Sequence, residues 1–160
     1  MATSMIFAAV LAVCSVVTPD TTTSDKEQGK SPEHQVVAIY FHRTQRCPTC
    51  KRIGAMAEEA VTKGFEKEVE NRTVEFHYID FQDEKNAELA KKYGIETPTL
   101  VMINVFEGET VCLTSMPKVW QLVGKPDDFR AYVQDGVARY LRQSKEDAEQ
   151  ERDESKESKE

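Results

Sequence analysis

The sequence predicts an α/β fold, a central mixed four-stranded sheet flanked by helices, and three observations carry that prediction. Apolar residues recur with strand and helix periods in the order β-α-β-α-β-β-α over residues 35–142. The last two strand patterns flank Glu107-Gly108-Glu109, a hairpin signal, whereas the first two are joined by a helix pattern long enough for a parallel crossover. Cys47-Pro48-Thr49-Cys50 falls where the first strand has ended and the first helix begins, so the two cysteines are expected at a helix N-terminus.

Met5 to Val17 reads MIFAAVLAVCSVV, thirteen residues without a charge. That is shorter than the roughly 20 residues that cross a bilayer, but it suits the apolar part of a secretory leader. Residues 1–18 are therefore expected to be a signal peptide or membrane anchor, although Met1–Ser4 carries no Lys or Arg and no clean small-x-small site follows. Leu11-Ala12-Val13-Cys14 also resembles a lipobox, with Val ill-suited to the place before the cysteine. Residues 19–34, rich in Thr, Ser, Asp and Lys, read as a flexible linker.

Gln35-Val36-Val37-Ala38-Ile39-Tyr40-Phe41 is a continuous apolar run, the pattern of a strand buried on both faces. His42–Arg46 is a polar loop. Beyond Cys47, Ile53, Met56, Ala57, Ala60 and Val61 share one helical face, with Lys51, Arg52, Glu58, Glu59 and Lys63 opposite and Gly64 as the stop. Thr73–Asp80 alternates as a second strand, and Glu84–Tyr93 is a short helix ended by Gly94. Thr99–Phe106 and Thr110–Thr114 form the hairpin. Pro126-Asp127-Asp128 opens the last helix, in which Phe129, Tyr132, Val133, Gly136, Val137, Tyr140 and Leu141 keep to one face. Residues 143–160 have Ala148 as their one apolar residue after Ser144, so a solvated helix extension or a disordered, charged tail is expected there.

The chain has 160 residues and a formal net charge of −7. Lys145, Arg152, Lys156 and Lys159 stand against eight acids in the last 17 residues, so −4 of that charge sits in the tail and −3 in the other 143. Nothing concentrates enough basic surface for phosphates, which argues against a nucleic-acid partner. Four cysteines with one close pair do not make a small-protein disulfide framework. Cys112, in the apolar stretch Val111-Cys112-Leu113, is expected to be a buried core thiol.

Strand, loop, Cys47-Pro48-Thr49-Cys50 and helix, together with Lys92-Tyr93-Gly94-Ile95-Glu96-Thr97-Pro98-Thr99-Leu100, resemble the thioredoxin superfamily over roughly residues 35–141. Within it, Tyr40-Phe41-His42 ahead of an Arg46-preceded Cys-Pro-Thr-Cys is similar to the group labelled nitrophenyl compound nitroreductase subunit ArsF family. The superfamily resemblance implies a thioredoxin-like fold with a cis peptide at Pro98. It also implies thiol–disulfide exchange with protein thiols and disulfides as substrates, and a monomeric domain with no cofactor beyond the redox-active Cys47–Cys50 disulfide. The finer resemblance implies a bacterial source, a membrane disulfide-interchange electron donor, and a link to arsenical metabolism; with the apolar run Met5–Val17, an exported, periplasmic or membrane-attached protein is expected. The chain has no Gly-rich phosphate turn for a flavin or nicotinamide, so nitro reduction by this polypeptide alone is not expected. Arg46 stands where thioredoxins usually carry Trp, Thr44-Gln45 lengthen the loop, and no Asp or Glu lies between Val36 and Phe41 to supply a buried carboxylate.

Cys47 is expected to be the attacking thiolate, favoured by the helix N-terminus and by Arg46 beside it. Cys50, one turn further in, is expected to resolve the mixed disulfide. Pro48 suits the first helical position because it has no N–H to lose. Thr49 lies between the cysteines, and Thr97 is expected to offer backbone pairing to a substrate strand. His42 is either a proton shuttle or a loop histidine with a local hydrogen bond; His34 and His77 are expected to be structural or solvated. Two other functions remain open. The thiolate pair suits Cu(I) or As(III) carriage, whereas a closed zinc site would need ligands this sequence lacks. A non-catalytic subunit of a reductase system is the third reading.

Overall fold

The computed structural model describes residues 32–157, so the expected leader and most of the expected linker lie outside the described residues. Four strands are present: β1 (His34–His42), β2 (Val74–Asp80), β3 (Thr99–Phe106) and β4 (Glu109–Ser115), in the sheet order β2-β1-β3-β4. β1 runs parallel to β2, from Val36 opposite Val74 to His42 opposite Asp80. It runs antiparallel to β3, from His34 opposite Phe106 to Phe41 opposite Thr99. β3 and β4 form the antiparallel hairpin. The sheet is mixed and four-stranded, flanked by helices, with the thioredoxin-like layout.

The central strands bury both faces, as their unbroken apolar runs require. On one face Val36, Ala38 and Tyr40 of β1 and Leu100 and Met102 of β3 meet Ile53, Ala57 and Val61 of α1 (Pro48–Gly64). The same cluster takes in Phe129, Val133, Val137 and Tyr140 of α5 (Pro126–Arg142). Fully burying one such large side chain contributes about 1.5–3 kcal/mol. On the other face Ile39, Phe41, Val101 and Ile103 pack with Ala90 of α3 (Ala87–Lys92) and with Ile95. Two short helices, α2 (Glu66–Glu70) and α4 (Val119–Leu122), complete the turns after α1 and β4.

Three local features differ from the sequence expectation. The hairpin turn has two residues, because Glu109 already pairs with Phe106. Glu107 and Gly108 both take positive φ (55° and 83°), the backbone of a tight hairpin turn that suits the strand twist. The segment expected as one helix over 84–93 begins as a 3-10 turn, Glu84–Asn86, capped by the Asp83 side chain on Lys85 N, before α3 starts. Third, α6 (Lys145–Glu157) is a helix, one of the two states expected there, but it docks on the domain where a solvated extension or a disordered tail was expected. Ser144 and Asp147 cap it reciprocally: Ser144 N donates to Asp147 Oδ2 (3.1 Å) and Asp147 N to Ser144 Oγ (3.2 Å). Ala148 is fully buried, and Glu151 accepts from Arg139, Gln143 and Thr114. A charged helix needs little apolar surface when one carboxylate collects that many donors.

Candidate active site

The end of β1 and the start of α1 place the two cysteines. The chain leaves the sheet at His42, crosses the polar loop and enters α1 with Cys47 as N-cap, its backbone extended at φ −67°, ψ 162°. Cys47 Sγ accepts a hydrogen bond from Cys50 N (3.1 Å), so the sulfur takes the place an Asp or Ser oxygen fills at other helix starts. Pro48 occupies the first turn, where a missing N–H costs nothing. Cys47 Sγ and Cys50 Sγ lie 2.6 Å apart, both as free thiols.

The two thiols differ in environment. Cys47 is exposed, and hydrogen bonds from Cys50, first from its side chain and then from its backbone, hold its pKa below the ordinary thiol range. Cys50 is half-buried, and burial pushes its pKa up, with the hydrogen bond to Cys47 acting in the same direction. At neutral pH this arrangement favours a thiolate at the outer sulfur and a protonated thiol at the inner one. A cavity of about 580 Å³ opens beside Cys47, lined by Thr44, Gln45, Arg46 and Lys51.

Arg46 does not work as the sequence suggests. Its guanidinium lies over two rings, 4.9 Å from the centroid of Tyr78 and 5.7 Å from that of Tyr40. Hydrogen bonds from Cys50, rather than Arg46, dominate the lowering at Cys47, against the small upward push of burial. The guanidinium and both tyrosines close over Gly54, where a Cβ would sit 2.6 Å from Arg46 Nη2, 2.7 Å from Tyr78 Cε1 and 2.9 Å from Tyr40 Cδ1. Gly54 follows Cys50 by one helical turn on the same face, so only glycine lets this cluster pack behind the inner sulfur. Tyr40 Oη and Arg46 Nε are buried there without a protein hydrogen-bond partner. Burial, then the neighbouring Cys50 sulfur, pushes Tyr40 up to about 12, so it stays protonated. Tyr78, which donates to Glu58 (3.0 Å), is also pushed up to about 12, chiefly by burial.

The remaining expected site residues share this end of the sheet. Thr49 is exposed between the cysteines. Thr97 is exposed and Pro98 half-buried immediately before β3, whose first residue, Thr99, pairs with Phe41. His42 is half-buried; its Nδ1 donates to the carbonyl of Arg43 (3.0 Å), the local bond of a loop histidine. Cys112 is 2% exposed and bonds Tyr140 Oη (3.4 Å) in the core, as expected. Sequence reasoning missed Tyr40, Tyr78 and Gly54; the available signal was a glycine four residues after the second cysteine, facing an aromatic on β1. Among the described residues no cluster of three His, Cys, Asp or Glu side chains could hold a metal, and no helix is long and apolar enough to cross a membrane.

No family model matches the chain, and no curated protein matches it. Among solved structures it is similar to a thioredoxin of Fasciola hepatica, at 25% identity and TM-score 0.37, over 59% of this chain and 81% of that one. It is similar also to a thioredoxin of Trypanosoma brucei brucei, at 18% identity and TM-score 0.40, over 68% and 80%. A malarial protein aligns at 17% identity and TM-score 0.39, over 63% and 96%. The fold assignment rests on this chain's own strand order and register.

Proposed function

We propose that the protein is a thiol–disulfide oxidoreductase working through Cys47 and Cys50. One observation carries the reading: an exposed sulfur biased toward thiolate sits 2.6 Å from a half-buried sulfur biased toward thiol. In the reducing direction, Cys47 thiolate attacks one sulfur of a partner disulfide. A Cys47–partner bond forms, and the partner's other sulfur leaves as a thiolate. Cys50 then gives up its proton to solvent or to that leaving thiolate and attacks Cys47 Sγ. The Cys47–Cys50 bond forms, the partner's first sulfur departs, and two electrons have passed to the partner. The oxidising direction runs the same steps backward.

Thr97 and Pro98, with a cis peptide between them, belong to this proposal as the backbone against which a partner strand aligns. Export, read from the apolar run Met5–Val17, and electron supply from a membrane disulfide-interchange protein, read from the Tyr40-Phe41-His42 likeness to the ArsF group, belong to the same proposal. Direction is set by the reduction potential: a value of about −270 mV makes a reductase and about −120 mV an oxidant.

Insulin reduction with dithiothreitol tests the reading. Cys47→Ser is expected to abolish turnover, while Cys50→Ser is expected to trap Cys47 mixed disulfides visible by mass spectrometry. No turnover, with tight one-to-one Cu(I) or As(III) binding, would reassign the pair to carriage. Absence of both would leave a non-catalytic subunit.

A further inference from the structure

We propose that the groove beside Cys47 receives a protein segment whose cysteine is flanked by Asp and Glu side chains; the proposal rests on the thiol-exchange reading and names its partner class. The chain as a whole is acidic, at −7, yet Arg43, Arg46, Lys51 and Arg52 flank the cysteines in the sequence with no acid anywhere from His34 to Ala57. Arg43, Lys51 and Arg52 are exposed. None of the three is in an ion pair among the described residues, where eight other Lys, Arg or His side chains are.

Two of these four reach the groove itself. Arg46 and Lys51 line it together with the neutral Thr44 and Gln45 and the reactive Cys47. The acids at this end of the sheet are turned to other work. Asp80, opposite His42, accepts from Gln82 N (3.0 Å), and Asp83 pairs with Lys85 (2.9 Å). It is the neutral amide of Gln82 that meets the loop, accepting from Thr44 N (3.3 Å). Glu96, exposed before Thr97, is not among the residues that line the groove. A positive field on a negative molecule selects and steers a negative partner, and exposed charges of this kind act within about 10 Å at moderate salt.

The test uses the full chain and two synthetic peptides, each closed by one internal disulfide and identical except for Glu or Lys residues beside it. At about 20 mM salt the reduced protein should reduce the Glu peptide on the order of tenfold faster than the Lys peptide, and the ratio should approach one at about 300 mM. Substituting Arg43→Gln, Lys51→Gln and Arg52→Gln together should bring the low-salt ratio near one; the ratio cancels any change in the intrinsic reactivity of Cys47. Arg43→Gln alone, outside α1, should lower it roughly twofold. Equal rates at low salt, or a ratio indifferent to these substitutions, overturns the docking proposal and leaves thiol exchange standing. If neither peptide is reduced while iodoacetamide still alkylates Cys47, thiol exchange fails and the acidic partner falls with it.

Discussion

Cys47 and Cys50 are the same amino acid three positions apart, and their places at the start of α1 make them chemically different. The outer sulfur caps a helix and accepts an N–H; the inner one has turned into the protein. Peptide-resolved alkylation of the reduced chain with iodoacetamide, from about pH 5 to about pH 10, should give Cys47 a midpoint below the ordinary thiol value of about 8.5 and Cys50 one above it. Identical midpoints would remove the asymmetry on which the exchange chemistry depends. The signs for stability follow. Ionised Cys47 stabilises the reduced fold above the unfolded thiol pKa, and that contribution is lost as pH falls through its lowered folded value. Cys50 acts oppositely: its contribution is present below the unfolded thiol pKa and is lost as pH rises through its raised folded value. The pair was legible in the sequence because spacing and position relative to a strand are local properties. The inward turn of Arg46 was not, because it depends on two tyrosines from different strands, Tyr40 and Tyr78, and on a glycine on α1.

At the scale of elements, α1 departs from the two other long helices. α5 begins with Asp127 and Asp128 and α6 with Glu146 and Asp147, whereas the first turn of α1 has no acid. Lys51 and Arg52 stand near its positive end, which forgoes the few tenths of a kcal/mol that an acid would contribute there. α6 shows the reverse economy. Its Glu151 gathers Arg139 (3.1 Å to both oxygens), Gln143 (2.6 Å) and Thr114 (3.1 Å), while Lys145 reaches Glu107 on the hairpin (2.6 Å). Glu151→Ala should therefore cost about 2 kcal/mol in urea unfolding, against less than about 0.5 for Glu154→Ala on the exposed side. Equal losses would mean that α6 is not docked. Periodicity could not reveal this contact, since a helix held by one carboxylate has almost no apolar face; the Ser144-x-x-Asp147 cap was the readable sign of where it begins.

Taken whole, the molecule is two packed layers around a sheet, and its alternation was readable because both central strands are apolar throughout. One polar exception, Asn104, is fully buried on β3 and is satisfied by His34 (2.7 Å) and Gln143 (2.8 Å), tying the first strand to the end of α5. Cys112, 2% exposed and bonded to Tyr140 Oη, reports on the core rather than on the active-site loop. Its alkylation should be slow in native buffer and should rise with urea in step with loss of circular dichroism. Labelling as fast as that of Cys47 in native buffer would contradict its place in the core.

The tyrosine hydroxyl shut in behind the inner sulfur has a consequence for proton traffic. With Tyr40 neutral up to about 12, its hydroxyl cannot pick up what Cys50 releases during turnover. The hydrogen ion must leave by the open side, toward bulk water or the departing partner, so the rate of the second step is coupled to how wet the docked interface remains.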